Sequence, residues 1–333
     1  MRIGLAGVGR IGSLHAQTLA SLAAVESVVV ADADPARALE VAERLSLEAA
    51  ASPADLFRSG IDALVIAAVT DAHPELIVRG VEAGLPVFCE KPVAPDIGGT
   101  LQVIKAAGGA APAVQIGFQR RFDAGYAAAR QAVQSGSLGW LHTLRATTLD
   151  PAPPAPEYVA GSGGLFRDCS VHDFDAIRWV TGREIAEVYA VGANRGADFF
   201  RAAGDVDTMS ALLTLDDGSL AVVSNTRYNA AGYDVRLELL GSAGSISVGL
   251  DDRLPVRSAE PGAAFPAGPP YPLFIDRFRA AYQAELASFV DLAAAAGPSP
   301  CTLQDALEAS YVAEACELSR RLHQPVLVVA ARQ

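Results

Sequence analysis

An α/β fold is predicted: a doubly wound parallel sheet in the first half, then an α+β half built on a large, mostly antiparallel open sheet. Three observations predict it. Short apolar runs alternate with helical patterns from Arg2 to Gly117. A glycine-rich turn, Gly7-Val8-Gly9-Arg10-Ile11-Gly12, joins the first of those runs to the first helical pattern. Beyond Gln134 the sequence changes to runs of alternating apolar and polar residues separated by turn signals, as half-buried strands require.

At 333 residues the chain is long enough for two cores. A first domain is expected over residues 1–120 and a second over 121–333, with the final helices able to pack back on the first. Apolar residues make up 51% and charged residues 19%, a globular balance. The net charge of −12 argues against a nucleic-acid partner, whose phosphates need a basic face. No apolar run is long enough to cross a bilayer. The chain enters a strand-like run at Arg2 with no signal peptide before it, so a cytoplasmic location is expected. Cys89, Cys169, Cys301 and Cys316 form no CxxC pair and read as reduced packing residues. No His, Cys and carboxylate cluster has metal-ligand spacing, so no metal is expected.

Arg2–Ala6 reads as a buried strand and Ile11 onward as a helix. A GxGxxG string between such elements is the dinucleotide fingerprint of a Rossmann domain. Gly7 allows the tight turn, Gly9 lets backbone approach a pyrophosphate, and Gly12 lets helix and strand pack closely. Arg10 and Ile11 open the helix whose N–H groups would face the phosphates. The next strand, Ser27–Ala31, ends at Asp32, where a carboxylate would hold the ribose hydroxyls and repel a 2′-phosphate; a solvated or capping Asp is the alternative. NAD is therefore favoured over NADP, with Arg37 the one nearby cation that speaks for the latter.

Pro35–Leu47 and Pro74–Ala83 read as helices, and Asp62–Ala68 and Pro86–Cys89 as buried strands. Thr70 and His73 follow the strand at 62–68, where a ligand would lie; His73 suits a cofactor contact or a helix cap equally. Glu90-Lys91-Pro92 ends the fifth strand. A lysine there can hydrogen-bond a substrate hydroxyl and stabilise a developing alkoxide, or pair with a surface carboxylate. A helix from Pro95 to Ala107 and a strand over 112–117 complete the first domain.

In the second half, strands are expected over Leu141–Leu149, Ala186–Ala193, Met209–Leu215, Leu220–Tyr228, Val235–Leu240 and Ser245–Val248, with hairpin turns at Asp216–Ser219 and Gly241–Gly244. Pro151–Pro156 reads as a stiff loop at the mouth of a site, and two helices, 274–296 and 302–323, close the chain. The stretch Gly163–Asp175 is a glycine-permitted turn running into a helix. Asp168 and His172, at i and i+4, would share a helix face, and Asp175 would fall near it. A carboxylate beside an imidazole fixes its tautomer and raises its basicity, which suits a general base; a surface hydrogen bond is the plainer alternative.

Assembled, these motifs resemble the Gfo/Idh/MocA oxidoreductase family, and its inositol 2-dehydrogenase branch most. The resemblance rests on the glycine fingerprint, on Cys89-Glu90-Lys91-Pro92-Val93, on Val114–Asp123 with its paired arginines, on Asp168-x-x-x-His172-x-x-Asp175 and on Gly232-Tyr233-Asp234. It implies catalysis by Lys91, Asp168 and His172, with Glu90 and Lys91 also beside the cofactor. It further implies polyol contacts from Arg121, Asp150, Asp175 and Tyr233, and a homotetramer built through the second-domain sheets, with a dimer as the alternative. Where that branch tends to have Asn-Pro, this chain has Asp150-Pro151, which leaves the particular polyol open. NAD-dependent oxidation of a ring hydroxyl, of myo-inositol or a related inositol, is expected. A dehydrogenase of another sugar or an anhydrosugar such as levoglucosan, an NAD-dependent glycosidase and a non-catalytic dinucleotide-binding regulator stay open.

Overall fold

The computed structural model describes residues 1–295 and 297–332. The chain folds as two compact units. The first takes Met1–Gln119 together with Ala280–Leu307, and the second takes Arg120–Arg279 and Glu308 to the C-terminus.

The first unit carries six strands: β1 (Arg2–Ala6), β2 (Ser27–Ala31), β3 (Glu48–Ala49), β4 (Ala63–Ile66), β5 (Val87–Glu90) and β6 (Val114–Gly117). Their order is β3-β2-β1-β4-β5-β6 and all pair in parallel. The order reverses between β1 and β4, the switch point beside which α/β sheets bind ligands. Ile3, Leu5, Val28, Val30, Val65 and Phe88 form a core completed by Leu286, Phe289 and Val290 of the helix Phe274–Ala295. Such continuous apolar strands follow from burial on both faces. The two-residue β3 has no periodicity to read, and β6 begins at Val114 because residues 108–113 form a 3₁₀ turn.

The second unit holds β7 (Leu141–Leu149), β8 (Ile185–Ala193), β9 (Thr208–Leu215), β10 (Leu220–Thr226), β11 (Asp234–Gly241), β12 (Ser245–Val248) and β13 (Val326–Leu327). The order is β12-β11-β7-β10-β9-β8-β13. Every pair is antiparallel except β7 with β10. One face buries Leu144, Ala146, Ala211, Leu213, Val223 and Leu237. The other exposes Tyr189, Leu212, Leu220 and Val222, and Tyr189, Leu212 and Val222 stand in register across three strands. The parallel β7–β10 pair has a consequence for the site: both strands end on the same side, so Asp150 and Arg227 each begin one residue past paired positions Leu149 and Thr226.

Candidate active site

In the first unit, Gly7 has a φ of +91°, and a Cβ there would lie 2.5 Å from Ala68 backbone. A Cβ on Gly12 would lie 2.0 Å from the Gly7 carbonyl oxygen. Both positions need glycine to bring helix and strand together. Gly9 differs: a Cβ there meets nothing within 4 Å. It is the N-cap of the helix Arg10–Ser21, and no side chain caps that helix. Open space over a helix N-terminus fits a pyrophosphate.

Asp32 is 6% exposed and ties two loops together. Its Oδ2 accepts from Val8 N at 2.8 Å and its Oδ1 from Asp34 N at 2.9 Å. Arg37 donates to Oδ1 at 3.3 Å, so that cation is held on the carboxylate. A carboxylate oxygen can accept twice, which leaves Oδ2 a place for a ribose hydroxyl. These residues fit NAD: the glycine turn for the pyrophosphate, Asp32 for the adenine ribose.

Thr70 opens a short 3₁₀ turn after β4. His73 begins the helix His73–Glu82 and makes no cap; it is 2% exposed, its Nδ1 2.7 Å from the Pro92 carbonyl oxygen and its Nε2 3.0 Å from that of Ala68. It therefore joins the loops after β4 and β5, which corrects the expectation of a helix cap and leaves the ring little surface for a cofactor. Glu90 is gripped by a residue the sequence did not single out: His15 Nε2 lies 2.6 Å from Glu90 Oε1, and the ring packs edge-on to Phe88 and Tyr282. Lys91, half-buried, follows directly.

In the second unit, Gly163 and Gly164 take left-handed φ values of +79° and +90° and turn the chain into the helix that carries the candidate base. That helix does not start as an α-helix. Phe166–Ser170 is a π-helical turn, and the α-helix runs Val171–Thr181. Asp168 therefore stands in a widened turn and His172 in the first α-helical one, so the simple i, i+4 face is altered. Turns of this kind recur at functional sites because they re-aim side chains.

Asp168 Oδ1 accepts from the Tyr158 hydroxyl at 2.8 Å, and its Oδ2 from Arg227 Nη2 at 2.5 Å. Arg227 also donates from Nη1 to Asp150 Oδ2 at 2.7 Å. Burial alone would push the Arg227 guanidinium down, but Asp168, Cys169 and Asp150 hold it above its ordinary value. The Cys169 thiol is buried and pushed up, which makes it a packing group rather than a nucleophile.

Two consecutive arginines grip the same helix. Arg121 forms a fork with Asp175, Nε to Oδ2 at 2.9 Å and Nη2 to Oδ1 at 2.6 Å. Asp175 is 0% exposed, so both residues expected at the polyol meet each other here. Arg120 donates to Asp173 and to Thr148 Oγ1, and Asn225 Nδ2 donates to Asp173 Oδ2 at 2.8 Å. Tyr233 is buried edge-on to Phe274 and Phe278, and burial pushes its phenol well above the ordinary range. The sequence missed Tyr158, Arg227, Arg120 and Asp173. Asp173 had a signal: it lies between the apolar Val171 and Phe174 on a helix that must pack on the sheet, and a buried carboxylate must find a partner.

A glycine-walled turn at a sheet switch point, with an aspartate at the end of the next strand, places the chain among dinucleotide-binding oxidoreductases. The chain belongs to the GFO/IDH/MocA oxidoreductase family: the NAD-binding Rossmann model matches residues 1–118 and the family's C-terminal domain model residues 126–247. It is 40% identical to a myo-inositol dehydrogenase of Streptomyces leeuwenhoekii over 322 residues, 96% of this chain and 97% of that one. A crystal structure of a myo-inositol dehydrogenase from Corynebacterium glutamicum superposes with a TM-score of 0.91 at 36% identity, covering 98% of each chain. The scyllo-inositol dehydrogenase from Lactobacillus casei with bound NAD(H) and scyllo-inositol gives a TM-score of 0.86 at 30% identity over 99% of each chain.

Proposed function

We propose that this protein oxidises a secondary ring hydroxyl of an inositol to the ketone. The observation that carries the reading is the anchored pair: Asp168, held by Tyr158 and Arg227 in a π turn, directly precedes the helical turn that bears His172. NAD, when bound, supplies the acceptor for the carbinol hydride. His172 accepts the hydroxyl proton as a general base. Lys91 donates a hydrogen bond to that oxygen and stabilises the negative charge it develops. Asp168 orients the imidazole and balances the charge it gains. Asp150 and Tyr233 are assigned to recognition of the ring hydroxyls, Arg121 and Asp175, which grip each other, to shaping that side of the site, and Thr70 and Glu90 to the cofactor side.

The exposed apolar row Tyr189, Leu212 and Val222 supports association through the second-unit sheet, and we assign a homotetramer. Four free, buried cysteines support a reducing compartment, the cytoplasm.

The test is NADH formation by the purified protein with NAD or NADP and myo-inositol, scyllo-inositol, glucose or levoglucosan. Turnover of an inositol with NAD is expected. Turnover of glucose or levoglucosan alone would move the substrate class, and sugar release without net NADH would replace the dehydrogenase with a glycosidase.

A further inference from the structure

We propose that Arg227 is a positioning residue of this reaction, a single buried cation that fixes the Asp168 carboxylate by anchoring it to Asp150. The inference rests on the dehydrogenase reading above and deepens it.

The scaffold under Arg227 is rigid. Its own N–H donates to the Asp207 carbonyl at 2.8 Å. Asp150 N donates to the Thr226 carbonyl at 2.9 Å, and Asn229 N donates to the Asp150 carbonyl at 2.7 Å. Asp150 and the base of the Arg227 side chain are thus stitched side by side at the ends of the β7–β10 pair. Asp168 has no such strand beneath it; its backbone lies in the π turn. The guanidinium crosses from the strand ends to that turn, 2.7 Å to Asp150 and 2.5 Å to Asp168. At 5% exposure little water competes for it.

Charge makes the bridge necessary. Asp150 and Asp168 are like charges that share one cation. Without it they repel each other, and Asp168 is pushed away from Asp150 and off the Tyr158 hydroxyl. Arginine suits the place because its planar fork presents two donors to two acceptors at once; lysine is a point charge that serves one well. A carboxylate that swings loses its hold on the orientation of the imidazole after it, and small misplacements of catalytic groups are expensive.

The experiment compares Arg227→Gln and Arg227→Lys with the wild-type holoenzyme, with kinetics per folded protein and a crystal structure of each variant. Arg227→Gln is expected to lower kcat on the order of 10²-fold. Arg227→Lys is expected to recover about a tenth or more of wild-type kcat, since a cation can still reach Asp168. In the Gln variant the Asp168 carboxylate is expected to leave the Tyr158 hydroxyl. A purely structural role would lower Tm while leaving the kcat of the folded enzyme near wild type, and would overturn the proposal. So would a lysine variant no better than the glutamine one, or Asp168 unmoved in the Arg227→Gln crystal. If the wild-type protein oxidises no inositol, the functional reading fails by itself, and the position of Asp168 in the Arg227→Gln crystal still decides for or against the role of Arg227.

Discussion

Arg120 Nη1 lies 2.5 Å from Asp173 Oδ1, and both side chains are withdrawn from solvent, 2% and 1% exposed. Burial alone would push the Arg120 guanidinium down, and Asp173 together with Tyr126 and Tyr233 more than offsets that, so it stands above its ordinary value. Thr148 and Asn225 complete the carboxylate's hydrogen bonds. Breaking such a pair from one side leaves a buried charge. Arg120→Met is therefore expected to destabilise the second unit by about 3–5 kcal/mol, read as a shift in the urea midpoint. A shift below about 1 kcal/mol would mean that Thr148 and Asn225 suffice for Asp173.

His172→Ala is expected to lower kcat by about 10² to 10⁴, with NAD affinity kept within a few-fold. Lys91→Ala is expected to act on turnover likewise. Loss of NAD affinity in the Lys91 variant, measured by calorimetry, would move Lys91 to the cofactor.

Tyr158→Phe removes the hydroxyl that donates to Asp168 at 2.8 Å and leaves the ring in place. One hydrogen bond to a charged group is lost, and kcat should fall by about 3- to 10-fold. Unchanged steady-state kinetics would show that Tyr158 has no part in holding Asp168.

Asp32→Ser removes one of the two carboxylates that hold Arg37, now 3.3 Å from Asp32 Oδ1 and 3.9 Å from Asp34 Oδ2. The ratio of kcat/KM with NAD to that with NADP should drop at least about tenfold, because a repulsive element is lost and a cation gained for the 2′-phosphate. A ratio that stays put would place discrimination elsewhere in the loop.

Asp205 accepts from Leu165 N at 2.9 Å, while burial pushes its carboxyl above the ordinary 3.8. A raised carboxyl binds its proton more tightly folded than unfolded. Its stabilising contribution is full below the unfolded value and is lost as pH rises through the folded one. Asp205→Asn, which has no such loss, should have the higher Tm at pH 7, and the gap should close toward about pH 4. A gap independent of pH would mean that the carboxyl is not raised.

Much of the first sheet was legible because its elements obey local rules. Apolar runs that must be buried on both faces, and glycines where a Cβ would strike backbone, leave a mark in the residues themselves. The strands of the second unit were legible for the same reason, since one buried face imposes a period of two. The helix at Asp168–His172 was legible as a helix but not as a π turn, because one widened turn leaves no periodic mark in the sequence.

The sequence by itself determined the two-unit α/β plan, the dinucleotide turn with Asp32, and the candidate trio Lys91, Asp168 and His172. Only the tertiary structure decided who holds whom: Arg227 between Asp150 and Asp168, Arg121 on Asp175, Arg120 on Asp173, His15 on Glu90. Chain-local patterns come from the burial of each segment, which every residue along it feels. The pairing of charges comes from strand order and register, which bring together residues far apart in the chain and leave no periodic trace in it.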